Sequence, residues 1–89
     1  MLYSDDIVQR VWEKARATSD RDVNEWRKDE CGARIERAHC SGSTAEFGWK
    51  MQNVEPGAPN ELDNLRAFHR DNAFDRGAGE PHCKVTADR

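Results

Sequence analysis

Apolar residues recur at helical spacing near the start of the chain and at alternating positions in its middle. Ser4 can cap a helix, and the carboxylates of Asp5 and Asp6 suit the positive end of that helix. The apolar residues that follow at helical spacing are Ile7, Val8, Val11, Trp12 and Ala15. The pattern predicts a helix from about residue 5 to residue 17, with the apolar stripe facing the core.

Two segments in the middle of the chain alternate apolar and polar residues, as strands do. The alternation is imperfect over residues 31–40 and clearer over residues 47–52. The clearer one is carried by Phe47, Trp49 and Met51. Because a short stretch that contains the loop residues 41–44 separates the segments, we predict an antiparallel hairpin with Gln52 and Asn53 at its far end.

The last third of the chain begins with a break in the pattern. Residues 55–60 contain two prolines and a glycine, which excludes regular structure there. Helical spacing then returns in Leu62, Leu65 and Phe68. We predict a second helix, capped by Asn60 or Asp63, and an extended or frayed, flexible C-terminal tail over residues 78–89. The order helix, strand, strand, helix defines a single α+β domain over residues 1–77.

The composition fits a small folded domain with long polar loops. The chain has 89 residues, of which 36% are hydrophobic, and three Trp, three Phe and one Tyr supply bulky core side chains. Lys and Arg number 14 and Asp and Glu 17, a formal net charge of -3 with the two signs interspersed. Tight nucleic-acid binding draws on a positive surplus, so this balance favours a protein partner over nucleic acid. No stretch is apolar enough to span a membrane.

The three cysteines, Cys31, Cys40 and Cys83, are an odd number without a Cys-x-x-Cys pair. Since no signal peptide opens the sequence, we predict a cytoplasmic protein with reduced thiols. The dipeptides His39-Cys40 and His82-Cys83 could supply zinc ligands together with Cys31. Their wide spacing does not match structural zinc sites, so buried or idle thiols are the preferred interpretation.

The segment from Phe47 to Gly77 resembles the metal-binding half of an HNH nuclease. The family pattern is a strand ending in Asp-His, then Pro, a Gly-rich loop, and Asn-Leu-Arg-Pro opening a helix. The residues that match this pattern are Pro56, Asn64, Leu65 and Arg66, while Gln52 and Asn53 stand where the family has Asp-His. Residues 24–33 are also similar to a Trp-Arg-Lys-Asp-x-Cys-Gly-Ala run in compact phage-type and bacterial HNH proteins. The resemblance covers about residues 5–77 and implies a ββα-metal fold, a hairpin plus a helix, with an added N-terminal helix.

The resemblance also implies where the chemistry would lie. In the family, the Asp binds a divalent cation such as Mg²⁺ and the His is the general base, whereas the carboxamides of Gln52 and Asn53 suit neither role. Asn64 matches an Asn that braces the loop. Ala73 falls on the last ligand position, with Asn72 one residue before it. We therefore predict a degenerate site at these five positions, without catalytic residues, metal or cofactor.

Three classes of function remain open. The first, which we favour, is an inactive HNH-like protein repurposed as a binding protein. It would be a phage-type, anti-CRISPR-like inhibitor of a bacterial defence complex, acting in the host cytoplasm. The second is a weak metal-dependent endonuclease with a shifted site built from Glu55, His69 and Asn72. The third is a DNA-binding accessory module that does not cleave. The candidate partner-binding residues are Asp5, Asp6, Glu55, Glu61, Asp63, Arg66, His69 and Arg70.

Overall fold

The computed structural model describes residues 4–41, 44–55, 57–59 and 61–86. Within these ranges the chain forms one α-helix and six short strands, which pair antiparallel in three two-stranded sheets. The helix α1 spans Asp5–Lys14, and the strands are β1 (Trp26–Lys28), β2 (Arg34–Glu36), β3 (Trp49–Asn53), β4 (Leu65–His69), β5 (Ala73–Asp75) and β6 (Glu80–His82). The α+β class predicted from the sequence is confirmed. No helix in the described ranges is long and apolar enough to cross a membrane.

The first helix begins where the sequence predicts and ends earlier. The Ser4 hydroxyl accepts a hydrogen bond from the backbone N–H of Ile7 at 3.3 Å, which caps the first turn. The helix stops at Lys14 because Arg16 leaves it to pair with Lys28. The backbone N–H and C=O groups of Arg16 and Lys28 exchange two hydrogen bonds of 2.9 Å.

The hydrophobic core lies between α1 and the strands β2, β3 and β4. Its buried members are Val8, Val11, Trp12, Ile35, Trp49, Leu65 and Ala67. The rings of Trp12 and Trp49 are in tilted contact, with centroids 5.3 Å apart. The Trp12 indole N–H also donates to the C=O of Val23 at 3.0 Å, so the side chain is buried without an unsatisfied donor.

The predicted strand over residues 47–52 is confirmed as β3. Its predicted pairing with the segment over residues 31–40 is wrong. β3 pairs with β4, in a register that runs from Trp49 opposite His69 to Asn53 opposite Leu65. The other predicted strand contributes β2, which pairs with β1 instead. Both hairpins contribute buried apolar side chains to the core that α1 covers.

The predicted second helix is also wrong. Leu62–Asn64 form one 3-10 turn, and the chain then extends as β4. Leu65 and Phe68 fit helical spacing, but both are buried in a strand covered on its two faces, which the spacing alone cannot distinguish from a helix. The described residues after β4 form strands and turns only, so the helix of the ββα arrangement is not found there.

The segment predicted as a tail is attached to the domain over its described part, residues 78–86. β6 pairs with β5, and Cys83 forms a disulfide with Cys31, which corrects the prediction of reduced thiols. The Cα atoms of the two cysteines lie 5.7 Å apart although 52 positions separate them in sequence. The odd number of cysteines gave no indication of this pair. Cys40 is the remaining thiol. Residues 87–89 lie outside the described ranges.

Candidate functional site

The far end of the β3–β4 hairpin carries the carboxamides at the positions that the family resemblance assigns to catalysis. The Gln52 side-chain oxygen accepts a hydrogen bond from the backbone N–H of Phe74 at 2.7 Å. The Asn53 side chain donates to the C=O groups of Ala58 and Pro59 at 2.8 and 3.0 Å. The Asn53 oxygen also accepts from the N–H of Glu55 at 2.8 Å.

These contacts give both carboxamides a structural role. Asn53 uses two donors and one acceptor toward the loop after β3, and Asn64 donates to Pro59 from the other side of that loop at 3.0 Å. A neutral imidazole offers one donor and one acceptor, so a histidine could not make all three Asn53 contacts. The side chain at position 53 is thus suited to bracing the loop, and it lacks a proton acceptor for catalysis.

A buried carboxylate, missed by the sequence analysis, organises the centre of the molecule. Asp29 is 1% exposed and accepts four hydrogen bonds. One oxygen accepts from the N–H groups of Cys31 and Ala33 at 2.9 and 2.8 Å. The other accepts from the N–H of His69 at 2.8 Å and from the Asn72 amide at 3.0 Å. These four donors satisfy the Asp29 carboxylate, because an ionised carboxylate can only accept hydrogen bonds.

Asn72 extends this network to the C-terminal part of the chain. Its amide nitrogen donates to Asp29 and to the C=O of Val85 at 2.7 Å, and its oxygen accepts from the N–H groups of Lys84 and Val85 at 2.8 Å each. The residue is fully buried. Both the nitrogen and the oxygen of its amide are therefore occupied, and binding a metal through it would break its contacts with Asp29 and with the C-terminal part of the chain. We call Asp29 and Asn72 the polar hub.

His69 is a buried residue, unlike the exposed residues among the partner-binding candidates. Its side chain packs beneath Glu46, whose C=O lies 2.8 Å from Nε2, while Nδ1 accepts from the backbone N–H of Asp71 at 3.1 Å. These partners assign the proton to Nε2. Since both ring nitrogens are engaged, His69 is not free to act as the base of the shifted site.

The three residues of the shifted site are not brought together as a cation site. Asn72 belongs to the polar hub, His69 is engaged as described, and Glu55 lies exposed on the loop after β3. Among the residues that the structure describes, no three His, Cys, Asp or Glu side chains are grouped as a metal ion requires. Ala73, the last of the degenerate positions, begins β5 and has no ligating group.

The run that carries the upstream resemblance has a structural explanation. Asp29 caps the turn, Cys31 forms the disulfide, and Ala33 is fully buried. Gly32 adopts φ +87°, and a Cβ atom there would lie 2.9 Å from the backbone oxygen of Thr86. Cys31 and Gly32 therefore join the turn to the C-terminal part of the chain, while Asp29 and Ala33 serve the turn and its packing.

The other candidate partner-binding residues lie at the surface. Asp5, Asp6, Glu55, Glu61 and Asp63 are exposed, while Arg66 and Arg70 are half-buried. At the end of α1, the Lys14 ammonium donates to the C=O groups of Leu62 and Leu65 and fastens the helix to the 3-10 turn. Partial burial, and then the nearby Arg66 guanidinium, lower the pKa of Lys14. α1 is thus fixed beside the loop that carries the other acidic residues.

A cavity of about 140 Å³ adjoins the buried histidine. It is lined by Arg34, Glu46, Phe47, His69, Arg70, Asp71 and Val85. Arg34 donates to the Thr18 hydroxyl at 3.0 Å and to Asp20 at 3.2 Å. Both signs of charge line the cavity, so charge alone does not select a ligand.

Replacing Asn53 with Ala is expected to destabilise the protein by about 1–3 kcal/mol, because three hydrogen bonds within the loop lose their partner. Urea unfolding would measure this as a lower midpoint at unchanged slope. Asn24→Ala at an exposed position is the matched control and should stay within about 0.5 kcal/mol of the parent. Equal midpoints for the two variants would show that Asn53 does not brace the loop.

Comparison of this chain with known protein families, with curated proteins and with solved structures gives no significant match.

Proposed function

We propose that this chain is a non-catalytic binding protein built on a degenerate HNH-like hairpin, and that it inhibits a bacterial defence complex. The observation that carries the proposal is the structural role of the Gln52 and Asn53 side chains. Both side chains hold neighbouring backbone in place, where a nuclease would need a ligand and a base. The HNH relation itself rests on the sequence resemblance.

The expected mode of inhibition is steric and electrostatic. Exposed carboxylates at the start of α1 and in the loop after β3 would face a basic groove of the partner that normally holds nucleic acid. α1 has 10 residues and is about 15 Å long, so both acidic groups fit within one interface of ordinary size, about 800 Å² per partner. A formal net charge of -3 agrees with such a partner.

A plating assay tests the proposal in cells. The chain is expressed in a bacterial host in which a nucleic-acid-guided defence complex blocks a phage, and plaque formation is expected to be restored. The double variant Glu55→Lys/Glu61→Lys should lose this effect, because reversed charges repel a basic groove and slow association at least about tenfold. Glu25→Lys/Glu80→Lys makes the same charge change at exposed positions elsewhere and should keep the effect.

Two measurements on the purified protein separate the other two classes of function. Plasmid nicking in Mg²⁺ or Mn²⁺ that is abolished by EDTA would establish the endonuclease and contradict the proposal. DNA binding that is strong at low salt and falls steeply with salt would favour the accessory module. We expect neither, because the hairpin end lacks a ligand and a base and the exposed candidate residues are mostly acidic.

A further inference from the structure

The disulfide between Cys31 and Cys83 joins the turn before β2 to the chain just after β6. Cys83 is exposed and Cys31 is half-buried, so a reductant can reach the bond from solvent. We call residues 80–86, which comprise β6 and the residues that follow it, the C-terminal segment. Besides the peptide chain itself, this disulfide links the segment covalently to the body of the domain.

The other attachments of the C-terminal segment are polar. Asn72 bonds the backbone of Lys84 and Val85, and β6 pairs with β5. The hydrophobic core cluster, by contrast, takes all its buried members from residues 8–67, and β6 is exposed along its length. Because little apolar surface of the segment is buried and a lone two-stranded hairpin is marginally stable, the covalent bond is decisive for its position.

The body of the domain depends much less on the C-terminal segment. Asp29 receives none of its four hydrogen bonds from residues 80–86. β5 is held separately, since Phe74 donates to Gln52 and packs its ring against Phe68, with centroids 6.4 Å apart. Opening the disulfide therefore removes a restraint on the segment and leaves the core contacts in place.

We propose that the Cys31–Cys83 disulfide is a redox latch, whose reduction releases the C-terminal segment while α1 and β1 to β5 stay folded. The reductant is a dithiol of the thioredoxin class. Its thiolate attacks the exposed Cys83 sulfur, and the Cys31 thiolate leaves and takes up a proton. The second thiol of the reductant then attacks the mixed disulfide, so that Cys83 leaves as a thiol and the reductant ends as a disulfide. Two electrons and two protons pass to the protein.

Release changes the surface that the domain presents. Val85 is one wall of the cavity beside Phe47 and His69, and its backbone covers the Asn72 amide. Reduction therefore opens the cavity on that side and exposes the polar hub to water. The latch does not depend on the proposed inhibitor function.

Cys40 is the free thiol among the described residues and is half-buried. Burial raises the pKa of the Cys40 thiol above its ordinary value, so little of the nucleophilic thiolate forms at neutral pH. A Cys40→Ser variant is therefore a suitable control that keeps the latch and removes the free thiol.

Hydrogen exchange of the full chain, resolved by residue with NMR, tests the latch with and without dithiothreitol. On reduction, the amides of Lys84 and Val85 should lose protection at least about tenfold, while the amides of α1 and β3 keep theirs. Cys83→Ser should match the reduced protein without any reductant, and Cys40→Ser should match the oxidised parent. Reoxidation should restore the protection.

Two results would overturn the latch. Unchanged protection at Lys84 and Val85, in protein shown by thiol titration to be reduced, would mean that polar contacts alone hold the segment. A uniform loss of protection, α1 included, would mean that the disulfide supports the whole fold. The double variant Cys31→Ala/Cys83→Ala repeats the comparison without new hydroxyl groups, so that an effect of serine itself is recognised.

Discussion

The Asn72→Asp variant is expected to lose a large part of the stability of the parent. The substitution places a second carboxylate 3.0 Å from the Asp29 oxygen and removes the donor to the C=O of Val85. A buried charge without compensation costs about 3–5 kcal/mol. For a chain of 89 residues the whole stability is about 4–13 kcal/mol, so this loss takes a large part of it.

Urea unfolding followed by far-ultraviolet circular dichroism would measure the loss, with the disulfide kept oxidised in all samples. Asn24→Asp makes the same chemical change at an exposed position and should shift stability by no more than about 0.5 kcal/mol. If the two variants unfold at the same midpoint, the polar hub does not hold the fold together.

The Trp12→Ala variant is expected to lose about 3–5 kcal/mol through the cavity left in the core. Trp12 is fully buried, touches Trp49, and donates its indole N–H to Val23. The truncation also removes the side chain that joins α1 to the loop before β1. Differential scanning calorimetry would record a lower melting temperature, and near-ultraviolet circular dichroism would show weaker tryptophan packing.

Trp26→Ala serves as the matched control for Trp12. Trp26 is half-buried, with its ring edge-on to Phe47 and the Arg21 guanidinium 4.8 Å from its centroid. The expected loss is smaller, about 1–2 kcal/mol, because solvent fills part of the space that the ring leaves. A larger loss of stability in Trp26→Ala than in Trp12→Ala would mean that Trp12 is not at the centre of the core.

The parts of the fold that were predictable from sequence are those decided by neighbouring residues. The Ser4 cap, the apolar stripe of α1 and the alternation in β3 are local features, and all three are present. The second helix was mispredicted because Leu65 and Phe68 have helical spacing, although in β4 they lie on opposite faces of a strand that is buried on both.

The contacts that order the site could not be predicted, since they join distant parts of the chain. Asp29 meets Asn72 through a hydrogen bond across 43 positions, and Cys31 meets Cys83 across 52. Neither pairing leaves a periodic trace in the sequence. The carboxamides of Gln52 and Asn53 were correctly located at the end of a strand, but their structural use depends on Phe74 and on the loop backbone.

The side-chain amide of Asn72 is a site at which the protein can be damaged chemically, by deamidation. Deamidation would turn this residue into an acid and produce, without any mutation, the variant described above. The closed molecule resists the reaction because the amide is enclosed and held by four hydrogen bonds. Asparagine is among the residues that heat damages chemically. Loss of this one carboxamide would therefore be enough to weaken the fold.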